Sequence, residues 1–337
     1  MMTTRKQDER TLSDSLSRRG FLGRAMQIGA AGWMLANAET VAAQTKKPRW
    51  QIGCYTRPWD QYEYRVALDA IADAGYEGAP LHAMPGESAE DLKRFFEEFG
   101  LKPGPGYLGA NWWDPEETDK LIERTRKMAA LHAALGCDVM FVADNGFMVK
   151  GPRGIERMAL AGRPTPVDSL SPDQYKTAGE ALTRAGEAAL ESGVCICFHN
   201  HVGSFIETRQ EVDDLWAQVD RTKVFQGPDI GHLAWAGVDT VQFCKDYAQE
   251  IKALHIKDIN RAVMEQGIAA EWHYMVFNNS GIFAELGEGF VPYPEIFGIL
   301  DAAGFEGWLI VETDRTTKAT PLESARISRE YLKSLGI

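Results

Sequence analysis

Residues 171–201, SPDQYKTAGEALTRAGEAALESGVCICFHNH, run from a helical pattern through a glycine into a short apolar stretch that ends in polar residues. The glycine is the expected stop of a helix, and the stretch after it reads as a strand reached by a short loop. This unit recurs along the chain. Strand-like runs are WQIGCYT (50–56), YEGAPLHA (76–83), LKPGPGYL (101–108), CDVMFVAD (137–144), VCICFHNH (194–201), VFQGPDIGH (224–232), IKALHIKD (251–258) and GWLIVETD (307–314). Helical patterns such as YRVALDAIADAG (64–75), SAEDLKRFFEEFG (88–100) and EETDKLIERTRKMAALHAALG (116–136) lie between them. Eight strands, each followed by a helical stretch, predict an α/β fold, the (β/α)8 TIM barrel. A doubly wound open sheet is disfavoured, because no Gly-x-Gly-x-x-Gly turn follows the first strand. No repeat or linker interrupts residues 44–337, which read as one domain.

Residues 1–43 read differently. Arg18-Arg19, an apolar run from Ala25 to Ala36 and the small residues Val41-Ala42-Ala43 are the parts of a Tat export signal. Cleavage is expected near Ala43, with the Ala-Asn-Ala at 36–38 as a second position, and the predicted location is the periplasm. The apolar run is too short for a permanent membrane anchor. The chain carries a formal net charge of −12, and residues 1–43 hold more basic than acidic side chains, so the remainder is more acidic still. That balance argues against nucleic acid as a partner, since such binders need basic stripes. The five cysteines, Cys54, Cys137, Cys195, Cys197 and Cys244, form no Cys-x-x-Cys pair and are expected to be buried and unpaired.

In a barrel of this kind the site lies where the strands end. A period of two puts Cys195, Cys197, His199 and His201 on one face, with the cysteines filling the interior and the histidines at the mouth. The next strand ends with Asp229 and His232. The seventh carries His255 and Lys257 on one face, with Asp258 behind them, and the eighth Glu312 and Asp314. Any one of these has an ordinary structural reading as a cap, a snorkelling lysine or an ion pair. Four consecutive strand ends with Asp, Glu or His point instead to a divalent cation held by carboxylates and imidazoles. Two long strand-to-helix loops, 145–170 and 261–289, are expected to wall the pocket, the second through Trp272, Tyr274, Met275 and Phe277.

The combination HNHVGSFIET (199–208), DIGH (229–232), ALHIKD (253–258) and GEGFVPYPEIFGILDAAGFEGWLIVETD (287–314) resembles the xylose-isomerase-like barrel superfamily. That group includes sugar isomerases and epimerases, inosose dehydratases and apurinic endonucleases. The resemblance implies a divalent metal, Mn²⁺ first, with Mg²⁺, Co²⁺ or Zn²⁺ as alternatives. It carries the metal ligands over to Glu207, Asp229, His255 and Glu312, with His199 as the alternative on the fifth strand. It implies chemistry at the carbon next to a metal-bound carbonyl. Glu207 and Glu312 would then carry the proton, and His201 or Lys257 would serve as acid or substrate ligand. His199, His232, Trp59 and Trp272 are the expected substrate contacts. The tryptophans, like Trp112 and Trp113, either stack on a sugar ring or pack in the core. The expected activity is isomerisation or epimerisation of a non-phosphorylated sugar or keto-sugar. The alternative is a dehydratase or lyase acting on a cyclitol or keto-glycoside. The partner implied is a small carbohydrate or cyclitol, and a homo-oligomer is compatible with the composition. A DNA-repair endonuclease and a non-catalytic sugar-binding protein are the competing classes. The acidic charge speaks against the first, and the run of strand-end carboxylates against the second.

Overall fold

The computed structural model describes residues 50–82 and 88–337. The expected export signal at 1–43 lies outside the described residues. Eight parallel barrel positions follow one another. They are β1 (Gln51–Cys54), β2 (Gly78–Pro80), a third position split into β3 (Lys102–Gly104) and β4 (Tyr107–Ala110), then β5 (Val139–Asp144), β6 (Cys195–His199), β7 (Val224–Gln226) and β8 (Ala253–Ile256). A short antiparallel pair, β9 (Asp258–Ile259) with β10 (Phe283–Ala284), precedes the eighth position, β11 (Trp308–Val311). Strand pairing runs β3-β2-β1-β11-β8 and β4-β5-β6-β7, all parallel. The parallel bridges Gln226↔Ile251 and Asp229↔His255 join β7 to β8 and close the ring on that side.

The third position breaks for a local reason. Pro103 and Pro105 have no N–H to give a ladder. The Gly106 N–H that follows donates instead to His132 Nε2 at 2.8 Å, from the helix Thr118–Ala134. His132 is therefore a buried structural histidine.

Side-chain parity follows the period of two. Cys197, Val139, Phe141, Ala253, Trp308 and Ile310 pack inside the barrel, with Cys195 beside them, and His199 comes next toward the mouth. All five cysteines are free, as expected. Helices such as Pro172–Leu190 cover the outside with their apolar faces. Among the described residues no helix is long and apolar enough to cross a membrane.

The two long loops carry structure of their own. Residues 145–170 contain the short turns Gly146–Met148, Arg157–Leu160 and Pro166–Asp168, and residues 261–289 contain the helices Arg261–Ala269 and Tyr274–Asn279. Tyr274 and Phe277 are buried and Met275 faces solvent at 44 % exposure, but neither these three nor Trp272 lines the cavity at the strand ends that they were expected to wall. Asp258 organises the later part of this segment. Its carboxylate accepts from Gly287 N and Val291 N, both at 3.0 Å. A Cβ on Gly289 would lie 2.1 Å from Asp258 Oδ1, so only glycine fits there.

Candidate active site

His199 ends β6, Asp229 follows β7, His255 sits in β8 and Glu312 follows β11. One ligand atom from each of His199, Asp229 and His255 lies within 4.8 Å of the others, and all three residues are buried. Asn200, between the two strand-end histidines, sets part of this geometry. Its Oδ1 accepts from Asp229 N at 3.0 Å, and its Nδ2 donates to Asp229 O at 3.4 Å. Asp229 then caps the short helix Ile230–Trp235, its Oδ1 accepting from His232 N at 2.9 Å. The other oxygen is left over. Asp229 Oδ2 accepts no hydrogen bond, although Lys257 Nζ stands 3.0 Å away and His199 Nε2 3.9 Å.

His255 is oriented by Glu312. Its Nδ1 donates to Glu312 Oε2 at 2.7 Å, and its Nε2 is buried with no hydrogen-bond partner. Burial, reinforced by the neighbouring His255, keeps the His199 pKa well below its usual value, so His199 is neutral. Two buried imidazoles and a carboxylate oxygen that meets only the Lys257 ammonium fit a borderline divalent cation. Buried polar atoms are rarely left without partners unless something else is meant to meet them.

Lys257 lies beneath these groups, fully buried. Its Nζ is 3.0 Å from Asp229 Oδ2, 3.0 Å from Glu312 Oε2, 2.6 Å from Asp314 Oδ2 and 3.2 Å from His232 Nε2. Burial works against the charge, but Asp229, Asp314 and Glu312 outweigh it and hold the lysine pKa well above the ordinary range. Glu312 responds in kind. Burial pushes its carboxyl up, and Lys257 and His255 override this and hold it well below the usual value. Burial is the largest influence on Asp229 and pushes it up to about 6, with Lys257 opposing.

Above the cluster opens a cavity of about 320 Å³. His199, His201, His255, Glu312 and Asp314 form one side of its wall; Tyr55, Arg57, Asp60, His82, Tyr107, Asn145 and Phe147 form much of the rest. His201 Nδ1 donates to Val202 O at 2.7 Å, leaving Nε2 as an acceptor. Burial, then the Lys257 charge, lowers its pKa to about 3.

Several expected residues lie elsewhere. Glu207 was the expected fifth-strand ligand and proton carrier, and its carboxylate is committed to the backbone. It accepts from Gly162 N at 2.6 Å and from Gly203 N at 2.8 Å, with Arg157 Nη2 3.6 Å away. Arg157 is itself buried and bonds Ser204 O at 2.7 Å and Glu211 at 3.0 Å. Glu207 thus ties the loop after β5 to the loop after β6 and does not join the wall of the cavity. His199 stands in the place assigned to it. His232 is buried behind His201, their rings 3.7 Å apart, and does not line the cavity. Trp59 is buried beside a neighbouring hollow with Thr56 and His82. Trp272 packs on Phe277 at 5.5 Å, and Trp112 is buried with its Nε1 donating to Ala143 O. Trp113 donates to Asp144 Oδ1 at 3.0 Å. Lys257 is near the chemistry but is a floor residue, not a wall residue.

Asn145 and Phe147 come from the 145–170 loop that was expected to wall the pocket, and neither they nor Tyr55, Arg57, Asp60, His82 and Tyr107 were singled out individually. All lie in or just beyond the first four strand positions. Their only signal was position, since none belongs to a run of metal-type residues.

Residues 68–335 match the family model of the xylose isomerase-like TIM barrel. The chain belongs to that family. Among its relatives, an inosose dehydratase of Clostridium perfringens (strain 13 / Type A) is 28% identical over 275 residues, covering 80% of this chain and 89% of the relative. A D-allulose 3-epimerase from Methylomonas sp. has a similar structure (TM-score 0.62, 17% identity, 86% of this chain and 98% of that one). So does the IOLI protein with a bound zinc atom (TM-score 0.62, 16% identity, 85% and 97%). The chain is an enzyme of this barrel family.

Proposed function

We propose that this protein is a divalent-metal-dependent lyase that eliminates an oxygen substituent from a non-phosphorylated keto-sugar or keto-cyclitol. The observation that carries the reading is the His199–Asp229–His255 group, in which each residue keeps a buried polar atom without a hydrogen-bond partner, under a polar cavity with Glu312 and Asp314 in its wall. His199, Asp229 and His255 would hold the metal, which when bound polarises a substrate carbonyl. Glu312 orients His255 through the Nδ1 hydrogen bond. Asp314 faces the cavity with its carboxyl pKa raised, chiefly by burial, which suits a base better than the strongly stabilised Glu312 anion. Asp314 takes the proton from the carbon next to the carbonyl. The C–H electron pair becomes a C=C bond as the C–O bond on the following carbon breaks with its pair on oxygen, and the departing oxygen takes that proton back from Asp314. His201 Nε2 accepts from a substrate hydroxyl.

Elimination is preferred over epimerisation for a geometric reason. Exchange of a proton on both faces of a carbon needs two opposed carriers, and Glu207, the expected partner of Glu312, is tied to Gly162 and Gly203. The similarity to the inosose dehydratases points the same way. Three carboxylates, Asp60, Glu312 and Asp314, against the one guanidinium of Arg57 make the wall poorly suited to a phosphate. Mn²⁺ is the metal proposed, and the Arg18-Arg19 segment supports export through the Tat pathway.

The test incubates Mn²⁺-loaded protein with keto-sugars and keto-cyclitols in D₂O, followed by mass spectrometry and absorbance. Loss of water or an alcohol with appearance of an enone is expected. Deuterium uptake with an unchanged formula would assign an isomerase or epimerase instead. No exchange by metal-loaded protein would favour a binding protein.

A further inference from the structure

A second cavity of about 440 Å³ adjoins the first. Arg57, Asp60 and Asp314 line both, so the two chambers meet at those residues. The inner chamber, at about 320 Å³, is at the small end of the roughly 300–1,000 Å³ range of small-ligand sites. The outer one offers separate room. We infer that the outer chamber is a subsite for a second, hydroxyl-rich ring, and that the substrate is a keto-disaccharide or keto-glycoside whose leaving half occupies it. This rests on the lyase reading above.

Three residues carry the inference. Asn278 Oδ1 is buried and accepts no hydrogen bond, so it is short of a donor. Arg315 is exposed, donates to Asn279 Oδ1 at 2.6 Å and has no ion pair among the described residues, which leaves guanidinium donors open to a ligand that displaces water. Tyr62 is 49 % exposed at the chamber wall, an aromatic surface of the kind that packs on the C–H face of a sugar. A hydroxyl both donates and accepts, so a polyol ring answers Asn278 and Arg315 together. A carboxylate or phosphate dianion would meet Arg315, since the chamber's other cations, Arg57 and Lys318, are already paired with Asp60 and Glu288, and it would leave Asn278 Oδ1 unmet. Asp314, the proposed proton carrier, stands at the junction. A glycosidic oxygen joining an inner keto-ring to an outer ring would lie there. In that step the C–H bond next to the carbonyl and the glycosidic C–O bond break, a C=C bond forms, and the outer ring departs as an alcohol carrying the proton.

The experiment compares, in full-length metal-loaded protein, a keto-disaccharide with the monosaccharide of the same keto-ring. In parallel, calorimetry measures binding of the unoxidised disaccharide and monosaccharide. The expected result is kcat/KM at least about tenfold higher for the disaccharide, a difference of about 1.4 kcal/mol. Tyr62→Ala, Asn278→Ala and Arg315→Ala should each remove about tenfold of disaccharide kcat/KM, and disaccharide affinity with it. Monosaccharide turnover should stay within about twofold. Equal wild-type efficiency on both substrates, or equal losses on both in the variants, would overturn the subsite. Should neither substrate turn over, the lyase reading fails by itself. The subsite then stands if disaccharide binding exceeds monosaccharide binding and falls with Tyr62→Ala, and is lost if it does not.

Discussion

Replacing Lys257 by methionine keeps the length of the side chain and removes only its charge. In the folded protein that ammonium lies within 3.0 Å of Asp229 and Glu312 and 2.6 Å of Asp314, with no solvent contact. Packing allows little rearrangement, since a Cβ on Gly231 would lie only 2.1 Å from Lys257 Cγ. Removing one partner of a buried ion pair costs about 3–5 kcal/mol, because the remaining charge stays desolvated and unpaired. Here three carboxylates lose the same partner, so the upper end of that range applies. In a barrel of this size each kcal/mol moves the melting temperature by about 2 °C, which gives a fall of about 10 °C. Differential scanning calorimetry in the presence of a chelator measures it. Saturating Mn²⁺ should raise the melting temperature of Lys257→Met more than that of wild type, since a cation bound at Asp229 restores some of the missing charge. A variant as stable as wild type in chelator would refute the reasoning, because the carboxyls would then be neutral without the lysine.

His199→Ala should lower Mn²⁺ affinity at least tenfold, whereas Glu207→Gln should change it less than about threefold and instead lower stability by about 1–3 kcal/mol through loss of its hold on Gly162 and Gly203. Metal titration and urea unfolding on the same samples separate the two effects, and the reverse order would return Glu207 to the metal. The pH response follows from the lowered histidine pKa values. A base with a folded pKa below its unfolded value of about 6.5 adds stability above that pH and loses it as the pH falls toward the folded value, about 3 for His201. Between pH 7.5 and 5 His201 should account for about 1–2 kcal/mol of lost stability, less any screening at its partly exposed ring. His201→Gln should flatten the slope of urea midpoint against pH by that amount, and parallel slopes would show that His201 does not bear the burial cost.

Much of the molecule was readable from local pattern. The eight strands, several of them announced by a glycine stop after the preceding helix, depend on neighbours a few residues apart, and so did the inward parity of Cys197 and His199. Asp229, His255 and Glu312 were legible because each lies at or within a strand position, where backbone period alone sets the direction of a side chain. Glu207 was not, because it lies past the strand in a loop whose path is set by distant partners. Gly162 N–H and the buried Arg157 come from another loop, and only packing brings them to its carboxylate. The same is true of Lys257. A lysine at a strand end is visible in the chain, but its three carboxylates come from β7 and β11, so its place beneath the cavity is decided by closure of the barrel. Tyr55, Arg57, Tyr107 and Asn145 carry no shared motif, and they become one wall only when the ring of strands brings their ends together. Short-range periodicity thus determined the elements and the strand-end residues. Long-range desolvation and pairing of charge decided which of those residues face the cavity and which support it.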